Sequence, residues 1–504
     1  MPPMNLGDLI DRNADPDTIA IIDLSDSANP LHISYGGLSQ RIDSVARSML
    51  ARGFEHGDTL AILAANSTDY LCAYYGIMRA GLIAVPINYK FPMDTIHYML
   101  ADCNARLVFA DTERAAHCPA GLPVVQFGDH GVHGFDTLLD PGSFDCADTN
   151  HDDIGMILYT SGSTGRPKGV PLTHAGQIWV LNNIAGDGSA LRRHRFLVAA
   201  PLYHMNGLLM SKIVAASHAS EVLLPQFRAT QYIEAIERYR CTYLTSVPTM
   251  IALVAKETAV LAKTDLTSVE SVMMGSSPLT QPLIDQVRRI FPETAVYNAY
   301  GTTEAGAGTF GAHLEGLPKP DIALGYPAPG VEARLIAGDD QDAKEGVLQL
   351  RTPAQMPGYL NLPERTAQSV TAEGWYDTGD IMQRDADGFY YFVGRADDMF
   401  ICGGENIYPG EVEKMLERHP AIHQACVVPA EDSIRGQKPV AYIVGAPGTV
   451  ITEAEVQAFA LENGPPQQHP RNVEFVDALP LAGTNKIDRR VLIERAVAYS
   501  EISP

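Results

Sequence analysis

The sequence predicts an α/β fold, with a large N-terminal domain of mostly parallel sheets flanked by helices and a small α+β C-terminal domain. Two observations predict it. Short apolar runs, each followed by a Gly/Ser/Thr/Pro loop and then a helical pattern, recur through residues 1–396. Buried strands alternating with helices build parallel sheets covered on both faces. Beyond that point the pattern changes, and residues 397–504 are of ordinary size for a separate α+β domain.

Taken in order, Ile154–Tyr159 reads as a buried strand, followed by a glycine loop and a helix from about His174. Phe196–Ala200 is an apolar run that meets Pro201 and His204. Cys241–Thr245 leads to Pro248 and the apolar-periodic stretch Met250–Val254. Val269–Met274 leads to Gly275, after which Leu279, Leu283, Ile284, Val287 and Ile290 fit one helical face, with Thr280 as N-cap. The boundary falls in Gly394–Asp398. Past it, Gly410–Arg418 reads as a helix and Gln424–Val428 as a strand. Thr452 and Glu455 form a capping box for a helix ending near Gly464, Asn472–Val476 reads as a strand, and Ile487–Tyr499 as a closing helix.

Composition narrows the function. The 504 residues are 46% hydrophobic, enough apolar mass to exclude disorder as the dominant state. A net charge of −23 speaks against nucleic acid as a partner, because backbone binding needs a basic surface. An anionic small molecule needs only a local positive site. The cysteines Cys72, Cys103, Cys118, Cys146, Cys241, Cys402 and Cys426 are scattered with no CxxC, which reads as reduced thiols in a cytoplasmic protein. No apolar run is long enough to span a bilayer, and the N-terminus lacks the basic and apolar segments of a secretory signal.

The strongest local signal is YTSGSTGRPKG, Tyr159–Gly169. Its glycines leave backbone N–H groups free to cradle a phosphate chain. Ser161, Ser163 and Thr164 add hydroxyls, and Arg166 and Lys168 add charge. The spacing is not that of a Walker A loop.

This loop resembles the phosphate-binding segment of the adenylate-forming superfamily: acyl-CoA synthetases, peptide-synthetase adenylation domains and firefly luciferase. Four further segments are similar to that superfamily and occur in its order: Asn298–Glu304 (NAYGTTE), Tyr376–Asp380 (YDTGD), Gly394–Glu413 and Pro480–Arg490 (PLAGTNKIDRR). The resemblance covers nearly the whole chain. It implies residues 1–396 as an AMP-binding and acyl-binding domain and 397–504 as a mobile domain turning about a hinge near Asp397.

It also implies site residues. Thr160, Ser161, Gly162, Ser163, Thr164, Gly165 and Lys168 would hold the ATP phosphates, with Thr164 also catalytic. Tyr300 would stack on adenine beside Gly301, Thr303 would reach a phosphate oxygen, and Glu304 would ligate Mg²⁺. Asp380 would accept the ribose hydroxyls and Arg395 would pair with ribose or phosphate. Lys486 would stabilise the charge that develops as a carboxylate attacks the α-phosphate. Gly403, Gly404 and Glu405 would flank a pantetheine arm.

The acyl pocket is expected at His204, Met274, Gly275, Ala305, Gly306 and Phe310. His204 there would gate the acid or orient its carboxylate. His204, Met205 and Asn206 stand where peptide synthetases resemble one another in carrying an Asp for the α-amino group, which disfavours an amino acid. No cation accompanies the small and apolar residues, so the expected substrate is a monocarboxylic acid with an uncharged tail, aryl or aliphatic. The implied reaction consumes ATP and CoA with Mg²⁺ and releases acyl-CoA, AMP and pyrophosphate; a homodimer is compatible with it. Two departures stand out. Asn485 replaces a common glycine before Lys486, and Gln467, Gln468 and His469 stand where relatives often have lysines. The second leaves fewer cations for CoA phosphates and keeps open an alternative, delivery to the pantetheine of a separate carrier protein.

Overall fold

A computed structural model of the chain describes residues 4–128, 131, 134–160, 166–402, 405–432, 435–482 and 486–500. Two largely parallel sheets organise the first part. The six-stranded sheet runs, in spatial order, Val124–Phe127, Leu107–Asp111, Thr59–Leu63, Ile83–Pro86, Ile154–Thr160 and Lys168–Thr173, with only the last pair antiparallel. The seven-stranded sheet runs Ala295–Ala299, Ser271–Gly275, Tyr243–Ser246, Arg195–Val198, Ser220–Leu223, Ile19–Asp23 and Leu31–Ser34, again parallel but for its final pair.

Strand alternation explains how both faces are buried. Leu60 and Ile62, Phe196 and Val198, join Ile42, Tyr74 and Leu208 from three helices in one core that links the two sheets. Their strand neighbours Ala61 and Leu63 pack against Ile96 and Met99, and Leu197 and Val272 pack against Ile233, Ile251 and Ile284. Successive residues of a strand point to opposite faces, so a continuous apolar run serves two cores at once.

A four-stranded antiparallel sheet follows, Glu332–Ile336, Glu345–Arg351, Tyr376–Arg384 and Tyr390–Arg395. The C-terminal part is built on the long antiparallel pair Ile422–Asp432 and Gly436–Gly445, flanked by helices Pro409–Leu416, Glu453–Asn463 and Arg489–Ser500. The Thr452/Glu455 capping box forms with both reciprocal bonds. Thr280 does occupy the N-cap of Gln281–Ile290 but makes no capping bond; its hydroxyl instead meets Glu417 of the C-terminal part. All seven cysteines are free thiols. Among the described residues, no helix is long and apolar enough to cross a membrane.

Candidate active site

A cleft of about 3280 Å³ opens where the carboxyl ends of the strands meet the antiparallel sheet and the C-terminal part. Strand Ile154–Thr160 delivers Thr160 to its edge, and the returning strand sets Lys168 directly opposite Thr160. This hairpin, not visible in the sequence pattern, brackets the glycine loop. Ser161, Gly162, Ser163, Thr164 and Gly165 lie outside the described residues, as do Gly403 and Gly404.

Thr160 and Lys168 meet Glu304 through a residue the motifs do not announce. The Tyr359 hydroxyl donates to Glu304 Oε1 at 3.0 Å, Thr160 Oγ1 lies 3.4 Å from the same oxygen, and Lys168 Nζ sits 3.3 Å from Tyr359 Oη and over its ring. Burial pushes the Lys168 pKa down, and Glu304 draws it back up. Among the described residues no three His, Cys, Asp or Glu side chains gather into a metal cluster. A single buried carboxylate suits a cation that takes its remaining ligands from phosphate oxygens and water.

Glu304 is presented by a tight hairpin. Gly301–Thr302 pairs with Gly306–Ala307 so closely that a Cβ on Gly301 would stand 2.5 Å from Ala307 Cα, and Gly306 has φ +87°. Both positions therefore require glycine. Thr303 and Gly301 line the cleft. The hydroxyl of Tyr300, which precedes the hairpin, donates to Asp380, and Arg395 donates to the other oxygen of that carboxylate at 2.8 Å. Burial raises the Asp380 pKa even with Arg395 and Lys486 nearby. Arg395 also holds Asp397 at 2.9 Å, so the predicted ribose acceptor and the predicted hinge are tied to one guanidinium.

Lys486 comes from the C-terminal part and faces this group. The bridge between Leu481 and Ile487, with Ala482 N donating to Lys486 O at 2.7 Å, closes the base of its loop. Three residues on, Arg489 grips Glu413 with two bonds of 2.6 and 2.7 Å and fixes the start of the final helix. Burial lowers the Lys486 pKa; Asp380 and Glu304 act upward and Arg395 downward. The same lysine, after burial itself, holds the His204 pKa down at about 3. His204 is thus neutral, at the N-cap of helix Met205–Ser217, with Nε2 unpaired among the described residues.

The expected acyl pocket divides. Gly275 and Phe310 line the cleft, joined by Met273, Ala307 and Gly308. Met274 does not: it is 0% exposed in the core behind the sheet, because the alternation that turns Met273 and Gly275 to the cleft turns Met274 away. Ala305 is buried beneath the hairpin, and Gly306 faces Ala354 and Val180. Glu405 is exposed on the short strand Glu405–Ile407 and is not among the residues lining the cleft.

Comparison with known proteins bears on this arrangement. The AMP-binding enzyme family matches residues 10–360, and the AMP-binding enzyme C-terminal domain matches residues 411–486. A feruloyl-CoA synthase of an Amycolatopsis species is 31% identical over 466 residues, 90% of this chain and 92% of that protein. A fatty acid–[acyl-carrier-protein] ligase of Streptomyces coeruleorubidus is 30% identical over 479 residues, covering 92% and 91%. The crystal structure of an anthranilate CoA ligase in complex with anthranoyl-AMP superposes with a TM-score of 0.89 at 25% identity, covering 99% of both chains.

Proposed function

The chain belongs to the AMP-binding enzymes, the adenylate-forming superfamily, and from that premise we propose that it activates a monocarboxylic acid with an uncharged tail and passes the acyl group to the thiol of CoA. The observation that carries this reading is the convergence of Lys486 with Lys168, Arg395, Asp380 and Glu304 on one cleft that continues into an apolar wall. A polyanion meets three cations there, although the chain as a whole carries −23.

In the first step a carboxylate oxygen attacks the α-phosphorus, a P–O bond forms, and pyrophosphate departs with the electrons of the broken anhydride. Lys486 serves both the incoming carboxylate and that phosphate, where charge gathers in the transition state. Asp380 exchanges its Tyr300 partner for ribose hydroxyls while Arg395 stays on its other oxygen. Neutral His204 offers a hydrogen bond to the carboxylate without competing for a proton. Mg²⁺ held by Glu304 would supply neutralising charge to the leaving pyrophosphate. In the second step a thiolate attacks the acyl carbon, the thioester forms, and AMP leaves.

A second reading keeps the first step and replaces CoA with a carrier-protein pantetheine. Gln467, Gln468 and His469 favour it by offering no lysine, and the Streptomyces relative is named for that acceptor. A pyrophosphate-release screen over aryl, short-chain and long-chain acids, with free CoA or a phosphopantetheinylated carrier added, tests both. Acyl-CoA formation at ordinary CoA concentrations supports the first reading. Thioester on the carrier alone supports the second. Pyrophosphate release with no acid overturns acid activation itself.

A further inference from the structure

Lys168 and Glu304 line the same cleft with opposite charges, yet they do not pair. Glu304 acts on Lys168 through space, with no hydrogen bond between them among the described residues. Tyr359 stands between the two. Lys168 Nζ lies 4.3 Å from the centre of its ring and 3.3 Å from its hydroxyl, and that hydroxyl donates to Glu304 Oε1 at 3.0 Å. Thr160 Oγ1 approaches the same oxygen at 3.4 Å. Both donors fall on Oε1, and among the described residues no hydrogen bond goes to Oε2.

The segment that carries Tyr359 is sewn to both hairpins of the site. On the Glu304 side, Thr352 Oγ1 donates to Ala305 O at 2.6 Å and Met356 N donates to Glu304 O at 2.8 Å. On the Lys168 side, Leu360 N donates to Gly169 O at 2.9 Å. Tyr359 N itself donates to Thr366 Oγ1 at 2.9 Å. A lysine on its flexible stem would otherwise be drawn onto the neighbouring carboxylate, and each charge would cancel the other.

Resting on the acid-activating reading above, with its cation at Glu304, we propose that Tyr359 is a positioning residue that keeps Lys168 and Glu304 apart and leaves the open oxygen of Glu304 to a divalent cation on ATP. Its hydroxyl fixes the carboxylate through Oε1, and its ring gives the ammonium a neutral neighbour. Lys168 then stays available to a phosphate and Glu304 to the cation. Loss of such a partner of a ligating carboxylate typically weakens metal binding about 10- to 100-fold.

The test reads binding rather than turnover. Calorimetry without any acid gives the Kd of ATP in Mg²⁺ and in EDTA, and their ratio measures how far the cation tightens binding. Tyr359→Phe is expected to lower that ratio about tenfold, close to the value of Glu304→Gln, while Mg²⁺-free ATP binds within about twofold of the natural chain. Adding Glu304→Gln to Tyr359→Phe should change the ratio little further, because the two residues act as one unit. Tyr359→Leu removes the ring as well, so Lys168 pairs with Glu304 and Mg²⁺-free ATP also binds more weakly. An unchanged ratio in Tyr359→Phe overturns the proposal, as does an equal loss of affinity with and without Mg²⁺, the mark of a merely structural role. So does a ratio that Glu304→Gln leaves unchanged, or Mg²⁺-free binding as tight in Tyr359→Leu as in Tyr359→Phe. Should the leucine variant fail to fold, Tyr359→Phe decides alone. Absence of ATP binding by the natural chain in either buffer overturns the acid-activating reading itself.

Discussion

Lys486 shows what a single side chain can be asked to do. It reaches the cleft from the C-terminal part, where Asp380, Glu304 and Arg395 all act on its ammonium. Lys486→Ala is expected to slow pyrophosphate release roughly 10²- to 10³-fold. Thioester formation from supplied acyl-AMP should remain within about threefold, since that step does not need the α-phosphate contact; equal loss in both half-reactions would reject the assignment. His174 makes the complementary case for stability. Its Nδ1 accepts the Leu6 N–H at 3.0 Å, and its ring lies so close to Gly155 that a Cβ there would meet it at 2.8 Å. Burial lowers its pKa to about 4. The unfolded chain takes up that proton near the ordinary histidine pKa of ~6.5, so the stability tied to neutral His174 is complete above ~6.5 and is lost as pH falls toward 4. Between pH 7.5 and 5.5 this amounts to about 1 kcal/mol. Urea denaturation should show His174→Asn losing less stability than the natural chain by that amount over the same interval. At this scale the sequence disclosed identities through local motifs: Glu304, Asp380 and Lys486 each sit in a short segment whose chemistry is readable. Tyr359 was hidden, because its contact with Glu304 spans 55 positions and no spacing announces it.

Elements decide which way those side chains face. The run Val269–Met274 is apolar throughout, so pattern alone does not tell the cleft face from the core face. Only the pairing of Ser271–Gly275 with its two neighbours assigns Met273 to the cleft and Met274 to the core. The same ambiguity concealed the strand Lys168–Thr173, whose Gly169 and Pro171 read as loop until the partner strand supplies a ladder. The capping box at Thr452 was legible because its two partners are three residues apart. Helix Met205–Ser217 depends on a close approach that the sequence marks with a glycine. A Cβ on Gly207 would stand 2.5 Å from Pro201 O and 2.7 Å from Ala200 O, both rigid backbone. Gly207→Ala is therefore expected to destabilise the chain by about 1–3 kcal/mol, read as a lower urea midpoint. It should also raise KM for the acid more than KM for ATP, since the displaced helix start carries His204. An unchanged midpoint would mean that the turn at Pro201 yields freely.

The whole molecule sets a constraint that no single element reveals. Lys486 faces Asp380, Glu304 and His204, and on the proposed reading this seats the C-terminal part for attack on a phosphate, in the space a thiol would need to reach the same acyl carbon. The pattern shifts near residue 396, but the seating is not legible in it, since it rests on long-range contacts. Lys256 Nζ reaches Asp477 O at 3.5 Å and Thr280 meets Glu417. Lys414 adds a further contact, donating to Phe392 O with its ammonium over the Phe392 ring. The connection between the two parts runs through the turn that follows Arg395, where Asp397 is exposed and, among the described residues, hydrogen-bonded by that arginine. If this turn is the pivot, stiffening it should separate the two half-reactions. Asp397→Pro fixes φ at one backbone dihedral and also deletes the carboxylate, so Asp397→Ala serves as the control that deletes the carboxylate alone. Pyrophosphate release by the two variants should agree within about twofold, both reflecting the freed Arg395. Thioester formation from supplied acyl-AMP should fall about tenfold or more in Asp397→Pro relative to Asp397→Ala, because only the proline opposes rotation. If the two variants make thioester at equal rates, the pivot lies elsewhere in the chain, and the salt bridge to Arg395 is the whole contribution of Asp397.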